Sequence, residues 1–438
     1  MLRRLSLLIM LCLLAFLRPA FAEEPFNVAV TPNKLAFLLT QLYGPNGLIV
    51  DSLTVLPSGD THSAHFNSGF QSEFTQFNTA LASQIVNVPL PSPASGFTYQ
   101  FDPTLGVFER STESFGPILA ERAQTIGSKR FSFGFTYQHF TFDTIEGLDL
   151  DSVPAVFTHD SFELRGGRED VVTTMNSINT TVNQFTTFLT FGVTDGLDIS
   201  LAVPLVSNDM TVISHATVRR IGTTDPQIHF FRDVDGSLGT ERIFTAFGSA
   251  TGLGDITLRL KAVVTRGLAL ALDLRAPTGD EEDLLGSGAA GARPFLIWSA
   301  GGGAFAPHIN LGYQWNGKST LAGDPTTGES GELPDHAFYT VGADFSLGSR
   351  FTFAIDLLGQ YVIDTPRVSV EEFHALDGTS TFQTLTFQTD SFNSLSGAMG
   401  FKLNVVESLL IDFNVLFNID DSGLRDKVTP LAGVEYTF

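Results

Sequence analysis

The chain has 438 residues, with 47 acidic against 25 basic side chains and a formal net charge of −22 at pH 7. This acidic balance argues against binding nucleic acid or anionic lipid through bulk charge. Charged residues make up only 16% of the chain, while glycine (41) and phenylalanine (40) are abundant, which favours strands with one apolar face. The single cysteine, Cys12, excludes an internal disulfide and a cysteine metal site. We expect neither a metal nor a cofactor.

The first 22 residues predict a secretory signal peptide. Arg3 and Arg4 precede an apolar run over 5–17, and Ala-Phe-Ala at 20–22 gives a small-x-small cleavage site. The apolar run has about 13 residues, whereas a spanning helix needs about 20, so it is too short for a retained anchor. We therefore expect the mature, exported chain to begin at Glu23.

Residues 23–129 predict a mixed extension of short elements. The expected elements are a helix over 33–43, a helix with Phe70, Phe74, Phe77 and Leu81 on one face, a hairpin of 97–101 with 107–110, and a helix over 118–124. Elements of this length bury too little apolar surface to form a large independent core. We expect them to pack on or inside the remainder of the chain.

From residue 130 to 438 the sequence is a series of strand-like segments in which alternate residues are apolar. In the first segment, Phe131 and Phe133 flank Ser132, which is the pattern of a strand with one apolar face. The apolar positions change frame near His139, which predicts a β-bulge. There are twelve such segments: the second ends over 185–193, and the others begin near positions 131, 197, 256, 268, 295, 305, 339, 351, 395, 409 and 428.

The connections between these segments alternate strictly between short and long. Five are tight turns, and the long polar ones lie at 143–170, 207–253, 277–293, 317–336, 365–390 and 420–427. Outer-membrane barrels have short periplasmic turns, long external loops and an even strand number. The sequence therefore predicts an all-β fold, a closed antiparallel transmembrane barrel of about twelve strands over 130–438. The count becomes fourteen if 97–101 and 106–110 join the wall, and a soluble β-protein is the alternative.

The last strand carries a resemblance to bacterial outer-membrane barrel proteins. Those proteins typically end in phenylalanine with an aromatic residue two positions earlier, and Gly433, Tyr436 and Phe438 match this pattern. The resemblance implies that the barrel-assembly machinery reads this tail and that the protein lies in the outer membrane, in contact with its lipid.

Three stretches within the barrel resemble a narrower family. Residues 251–261 (TGLGDITLRLK), 274–279 (LRAPTG) and 308–313 (HINLGY) are similar to the transporter-like outer-membrane proteins named for a phenol-degradation pathway. That family is distantly related to the fatty-acid and aromatic-hydrocarbon channels. The resemblance implies solute transport, with residues 23–129 as a plug or a periplasmic region. The Asn-Pro-Ala motif of the hydrocarbon channels' hatch is not found in this sequence.

If the apolar positions face lipid, the residues between them face the lumen, where a charge avoids the cost of about 2–4 kcal/mol at the lipid midplane. The turn centred at Arg266 places Arg259 opposite Asp273. A second turn places Lys402 opposite Asp412, so we predict two lumenal ion pairs. These residues either stiffen a narrow barrel or line a solute path. The predicted lumen-facing residues are Arg259, Lys261, Asp273, Arg275, His308, Asn310, Gln314, Asp344, Asp356, Lys402, Asp412 and Glu435.

The sequence contains none of the common catalytic motifs for hydrolases, metalloproteases or phosphate binding, so we expect no enzyme. The function predicted is an outer-membrane channel for passive uptake of small apolar or aromatic solutes. Two alternatives remain open: a general polar-solute porin with cation preference, and a non-conducting structural barrel. The expected partners are outer-membrane lipid, the barrel-assembly machinery and a small-molecule solute.

Overall fold

The computed structural model describes residues 28–30, 34–44, 47–53, 64–66, 68–86, 88–92, 96–102, 107–158, 170–222, 224–233, 235–300, 303–324, 328–406 and 408–438. The predicted signal peptide lies outside these described residues. Within the described ranges, no helix has both the length and the apolar character needed to span a membrane.

Twelve antiparallel strands form one closed sheet, which confirms the predicted fold class and strand number. Strand β4 is interrupted only at Gly254 and Asp255, and β12 pairs with β1 to close the barrel. In chain order the strands are β1 Phe131–Phe142, β2 Asp170–Thr194, β3 Leu197–Arg220, β4 Glu241–Leu253 with Ile256–Thr265, β5 Leu268–Ala276, β6 Gly291–Ser299, β7 Phe305–Asn316, β8 His336–Ser346, β9 Phe351–His374, β10 Thr381–Val406, β11 Leu409–Asn418 and β12 Val428–Thr437.

The fourteen-stranded alternative is wrong. Tyr99–Asp102 and Val107–Arg110 pair with each other as the predicted hairpin, and this hairpin forms a sheet separate from the barrel wall. The hairpin itself is therefore confirmed, and it belongs to the segment that precedes the barrel.

The remaining short strands lie at the end of the barrel that carries the long connections. We call this the loop end, and the opposite end, with the five short connections, the turn end. The short strands are Val28–Val30 (parallel to β4), Val153–Thr158 (beside β2), Leu48–Ser52 with Ala64–Phe66, Ile228–Arg232 and Leu238–Gly239, Thr144–Ile145 with Leu148–Asp149 and Leu424–Arg425, and Lys318–Asp324 with Glu329–Glu332.

An apolar belt encircles the outer face of the barrel near the turn end. Large apolar side chains there are exposed while their strand neighbours are buried, and a soluble protein rarely exposes so wide an apolar surface. Tyr137, Trp315 and Tyr361 mark the loop-end border of the belt, where amphipathic rings favour the headgroup layer. The belt includes Phe185, Phe191, Ile199, Leu205, Leu270, Leu296, Ile309, Leu311, Ile355, Met399, Phe413 and Val434.

Two pairs of strands extend well beyond the belt, so the predictions of loops over 207–253 and 365–390 were wrong. Strands β2 and β3 remain paired up to Asp170 and Arg220, and β9 and β10 up to His374 and Thr381. Beyond the belt the two faces of the strands exchange character, because the outer face meets water and the inner face meets an apolar core. Beyond the belt, the apolar residues therefore occupy the inward-facing positions and the polar residues the outward-facing ones. A search for lipid-facing apolar residues reads such a strand as a polar loop.

The same exchange explains why the predicted bulge near His139 was wrong. Strand β1 pairs with β2 from Phe131 to Phe142 without a register shift. Phe140 and Phe142 are buried on the inner face, in the apolar core at the loop end. The apolar residues change face while the backbone continues as a regular strand.

The described residues of 34–86, which we call the N-terminal cap, pack inside the loop end of the barrel. The predicted second helix is confirmed as α1, Ser68–Ile85, and Phe77 and Leu81 on it are fully buried. The predicted first helix is only a 3-10 turn, Leu35–Phe37, followed by further turns. The cap is tied to an external loop by Lys34, whose pKa is raised by its bonds to Asp280 and Asp283.

The third predicted helix, over 118–124, is not formed. Backbone N–H groups that a helix would use internally are satisfied by the barrel wall instead: the Glu121 amide donates to Asn310 (2.7 Å) and the Ala123 amide donates to Ser299 (3.0 Å). Because buried amides need a partner, these wall side chains hold the segment in an extended path.

Candidate functional site

The described residues of 88–129, which we call the plug segment, lie in the lumen next to the N-terminal cap and at the turn end. At the start of this path the carbonyl of Pro89 accepts a hydrogen bond from Gln138 of β1 (3.1 Å). At the turn end the Gly96 amide donates to both carboxylate oxygens of Glu435 (3.0 and 2.9 Å). The plug segment therefore contacts the barrel wall both inside the lumen and at the turn end.

Glu121 of the plug segment is bound by three side chains. Its carboxylate accepts hydrogen bonds from Arg259 (2.5 Å) and Lys261 (3.1 Å) of β4, and from Ser92 (2.7 Å). Glu121 is only 3% exposed, and although burial opposes ionisation, Lys261 and Arg259 hold its pKa below the ordinary value. The charge of Glu121 thus fastens the plug segment to the wall.

The predicted pairing of Arg259 with Asp273 is confirmed. The two residues are directly opposite in the ladder, and the guanidinium of Arg259 donates to both carboxylate oxygens (2.6 and 2.8 Å). Asp273 also accepts two hydrogen bonds from Arg293 of β6 (3.0 and 2.5 Å). One carboxylate therefore joins three strands of the wall.

The second predicted pair is in register but forms no ion pair. Lys402 lies opposite Asp412, as predicted. One carboxylate oxygen of Asp412 nevertheless accepts no hydrogen bond, and the group lies against the backbone of Gly433. A Cβ at position 433 would lie 2.4 Å from an Asp412 oxygen, so glycine is required there for the carboxylate to fit.

The other predicted lumen residues are distributed around the wall. His308 is 1% exposed and contacts Asp356 (2.6 Å) and Asp344 (3.3 Å), and Asp344 accepts a hydrogen bond from Ser114 of the plug segment. Asn310 binds both the amide and the carbonyl of Glu121. Arg275 and Gln314 both donate to Asn316.

Two cavities lie in the lumen above the plug segment. The inner cavity, about 170 Å³, is bounded below by Leu119 and Glu121 and reaches β2–β9. The outer cavity, about 150 Å³, reaches the connections around Pro334 and 424–426. They meet at a neck, which both cavities share, formed by Val88, Pro89, His336, Leu358 and Gln360.

The walls of both cavities combine apolar and polar side chains. The outer cavity is lined by Phe140, Phe142 and Phe392 beside Gln84 and Asn418. The inner cavity is lined by valine, leucine and phenylalanine together with three guanidinium groups and three carboxylates. A small solute with an apolar body and a polar substituent matches such walls, since ligand sites pair apolar linings with a few placed polar groups.

Asp255, at the interruption of β4, anchors the external connection over the inner cavity. Its carboxylate accepts hydrogen bonds from the amide of Gly279 (3.1 Å), the amide of Ser287 (2.8 Å) and the hydroxyl of Ser287 (2.5 Å). The backbone beside it brings Leu285 and Gly286 to the cavity wall. Asp255 therefore positions the part of the wall that the connection contributes.

We expect Asp255→Asn to loosen this connection without unfolding the barrel. A hydrogen bond to a charged group contributes about 1.5–3 kcal/mol, so amide hydrogen exchange over 277–290 is expected to accelerate about tenfold or more. The control is Glu282→Gln, in the same connection, because the Glu282 carboxylate accepts no hydrogen bond from any described residue. Equal exchange in the two variants would show that Asp255 does not hold the loop.

Four residues of the site were not selected from the sequence: Glu121, Asp255, Arg293 and His336. Arg293 could have been found, because Ser299, Ile297, Phe295 and Arg293 follow one inner phase, but β6 was taken to start later. The role of Glu121 has no sequence signal, since its charged partners, Arg259 and Lys261, lie more than a hundred residues further along the chain. In the described part of the chain, no group of histidine and acidic residues is arranged to hold a metal ion.

The family described as "Putative MetA-pathway of phenol degradation" matches residues 160–422. No curated protein matches the chain.

Among solved structures, an outer membrane channel from Pseudomonas putida F1 has 12% identity and a TM-score of 0.41, covering 72% of this chain and 98% of its own. A FadL homologue from Pseudomonas aeruginosa has 10% identity, a TM-score of 0.31 and coverages of 70% and 89%. The Ralstonia pickettii toluene transporter TbuX has 12% identity, a TM-score of 0.26 and coverages of 71% and 90%. Similarities of this size support no inference about function.

Proposed function

Because this chain belongs to the MetA-pathway phenol-degradation family, we propose that it is an outer-membrane channel for the passive uptake of small apolar or aromatic solutes. The closed barrel, its apolar belt and the contrast between short turns and long connections are those of an outer-membrane protein. The loop end then faces the outside and the turn end faces the periplasm. Residues 23–129 are proposed to act as cap and plug, with the plug segment as the barrier to be displaced.

The observation that carries this proposal is the pair of cavities joined at the neck. An apolar cavity of about 150 Å³ holds one benzene ring, and the two cavities have volumes of about 170 and 150 Å³. The outer cavity lies toward the outside and the inner cavity ends on the plug segment. A solute of one ring therefore has two successive resting places between the outside and the barrier.

The predicted lumen residues receive roles in this proposal. Arg259 and Lys261 fasten the plug segment through Glu121, whereas Arg275 and Gln314 line the inner cavity. The tail of β12, with Gly433, Tyr436 and Phe438, is proposed as the signal for the barrel-assembly machinery. We propose no catalytic role for any residue and no bound cofactor.

Planar-bilayer conductance combined with toluene uptake tests the proposal. We expect the purified protein to give no steady ionic current, because the plug segment is proposed to close the turn end, and we expect cells that carry it to take up toluene faster than cells that lack it. A steady cation-selective current would instead indicate the polar-solute porin. Neither current nor faster uptake would leave the structural barrel and overturn the proposal.

A further inference from the structure

We propose that Arg293, Phe295 and Phe338 form a subsite in the inner cavity for single-ring aromatic solutes that carry a neutral oxygen acceptor, such as a carbonyl group. This inference rests on the proposed function and specifies its solute class. It goes beyond a purely apolar path, because it assigns a hydrogen-bond donor to the solute as well as an aromatic wall.

The aromatic part of the subsite is a pair of phenylalanines on neighbouring parts of the wall. The rings of Phe295 on β6 and Phe338 on β8 pack edge to face, with centroids 5.7 Å apart and planes at 63°. Both residues line the inner cavity. Edge-to-face contacts are a favoured arrangement of aromatic rings, so a third ring entering the cavity meets surfaces suited to it.

Gly312 on β7, the strand between them, makes this pair possible. A Cβ at this position would lie 2.4 Å from the Cβ of Phe295 and 2.6 Å from the ring of Phe338. Any larger residue would push the two rings apart or into the cavity. The absence of a side chain at Gly312 therefore sets the position of the aromatic wall.

The donor of the subsite is the guanidinium of Arg293. It lies over both rings, 5.7 Å from the centroid of Phe295 and 5.1 Å from that of Phe338. Its Nε and Nη2 atoms donate to Asp273. The third nitrogen, Nη1, donates to no described residue and is not fully buried. The side chain is 26% exposed, and Arg293 lines the inner cavity. Nη1 is therefore available to an acceptor oxygen there.

Charge balance favours a neutral acceptor over an anion. The three guanidiniums that line the inner cavity and the neighbouring Lys261 are matched by the carboxylates of Glu121, Asp255 and Asp273 and by Asp198 beside Lys261. Each carboxylate is already bound by several donors of the protein. An anionic solute would add an unmatched charge to a confined, partly apolar space, which is costly. A carbonyl oxygen accepts from Nη1 without adding charge.

Binding to the barrel in lipid nanodiscs, with empty nanodiscs subtracted, tests the subsite. The probes are acetophenone, ethylbenzene, which has a similar size but no oxygen, and benzoate, which is anionic. We expect acetophenone to bind about tenfold more tightly than ethylbenzene, because a hydrogen bond to a charged donor is worth at least that factor. Benzoate is expected to bind more weakly than acetophenone.

Two variants separate the donor from the wall. Arg293→Met keeps an unbranched apolar side chain but removes the donor, so it is expected to abolish the preference for acetophenone over ethylbenzene, measured as the ratio of the two affinities. Phe338→Leu is expected to weaken both neutral probes while the preference remains. Heat-modifiable migration on gels checks that each variant is folded, and Asp273 retains Arg259 as a partner in Arg293→Met.

The outcomes distinguish this inference from the proposed function. If both neutral probes bind equally and Arg293→Met has no effect, the subsite is wrong while the channel for apolar aromatic solutes stands. If benzoate binds most tightly, the neutral class is wrong. If no probe binds above empty nanodiscs, the inner cavity is not a solute site, and the subsite and the role of the cavities in the proposed function both fail.

Discussion

Replacing Glu121 by glutamine is expected to convert a barrel that carries no steady current into one that conducts ions. The variant removes the negative charge between Arg259 and Lys261, which then remain in the wall without this partner. Removing one partner of a buried ion pair costs about 3–5 kcal/mol, which corresponds to about a hundredfold or more in the equilibrium between docked and undocked plug. Single-channel recording in planar bilayers measures the open fraction directly.

The matched control for this experiment is Glu113→Gln. Glu113 belongs to the same plug segment and undergoes the same chemical change, but it is exposed. We expect it to remain as silent as the unmodified protein. If Glu121→Gln stays silent as well, although the barrel is folded, then the charge of Glu121 does not hold the barrier, and the plug segment is not the gate of a passive channel.

Placing an arginine at position 355 is expected to impair folding into the bilayer strongly. Ile355 lies on the outer face of β9, 43% exposed, midway between Phe351 and Tyr361 on the apolar belt. An arginine at the lipid midplane costs about 2–4 kcal/mol in barrels of this kind. Equilibrium unfolding in urea from lipid vesicles, followed by tryptophan fluorescence and gel migration, measures the loss.

Ser369→Arg is the control, because Ser369 lies on the same strand beyond the belt. Its side chain is exposed and pairs across the strand with Thr386 (3.4 Å). Water surrounds this position if the belt marks the bilayer, so we expect a change of less than about 0.5 kcal/mol. Equal losses at the two positions would contradict the assignment of the belt to lipid.

The barrel was predictable from the sequence because its strands and turns are specified by residues that are close together in the chain. Alternate apolar residues place each strand, and a tight turn fixes the register of the two strands that it joins, which is how Arg259 was placed opposite Asp273. Side chains that alternate with lipid-facing ones must point inward, so the polar row on β7 could be located without a structure. The strand number follows from the same alternation.

The loop end and the plug segment were not predictable because their environment is made by distant parts of the chain. Beyond the belt, Val182 and Val206 face an apolar core while the outer face is polar, so a regular strand has the pattern of a loop. The segment over 118–124 has helical periodicity, yet Asn310 and Ser299 bind its backbone in an extended path. The conformations of the loop-end strands and of 118–124 depend on contacts between residues far apart in the sequence. A local sequence pattern therefore does not predict them.

The path of the residues before β1 has a consequence for assembly. Val28–Val30 pairs with β4 at the loop end, and the chain leaves the turn end to begin β1. When β12 pairs with β1, the barrel closes around the described plug residues, and the Gly96 amide is bound to Glu435 on that closing strand. The described N-terminal end is held to the wall by hydrogen bonds alone. The plug segment therefore enters the lumen either before β12 pairs with β1 or afterwards, by passage of its N-terminal end through the closed barrel.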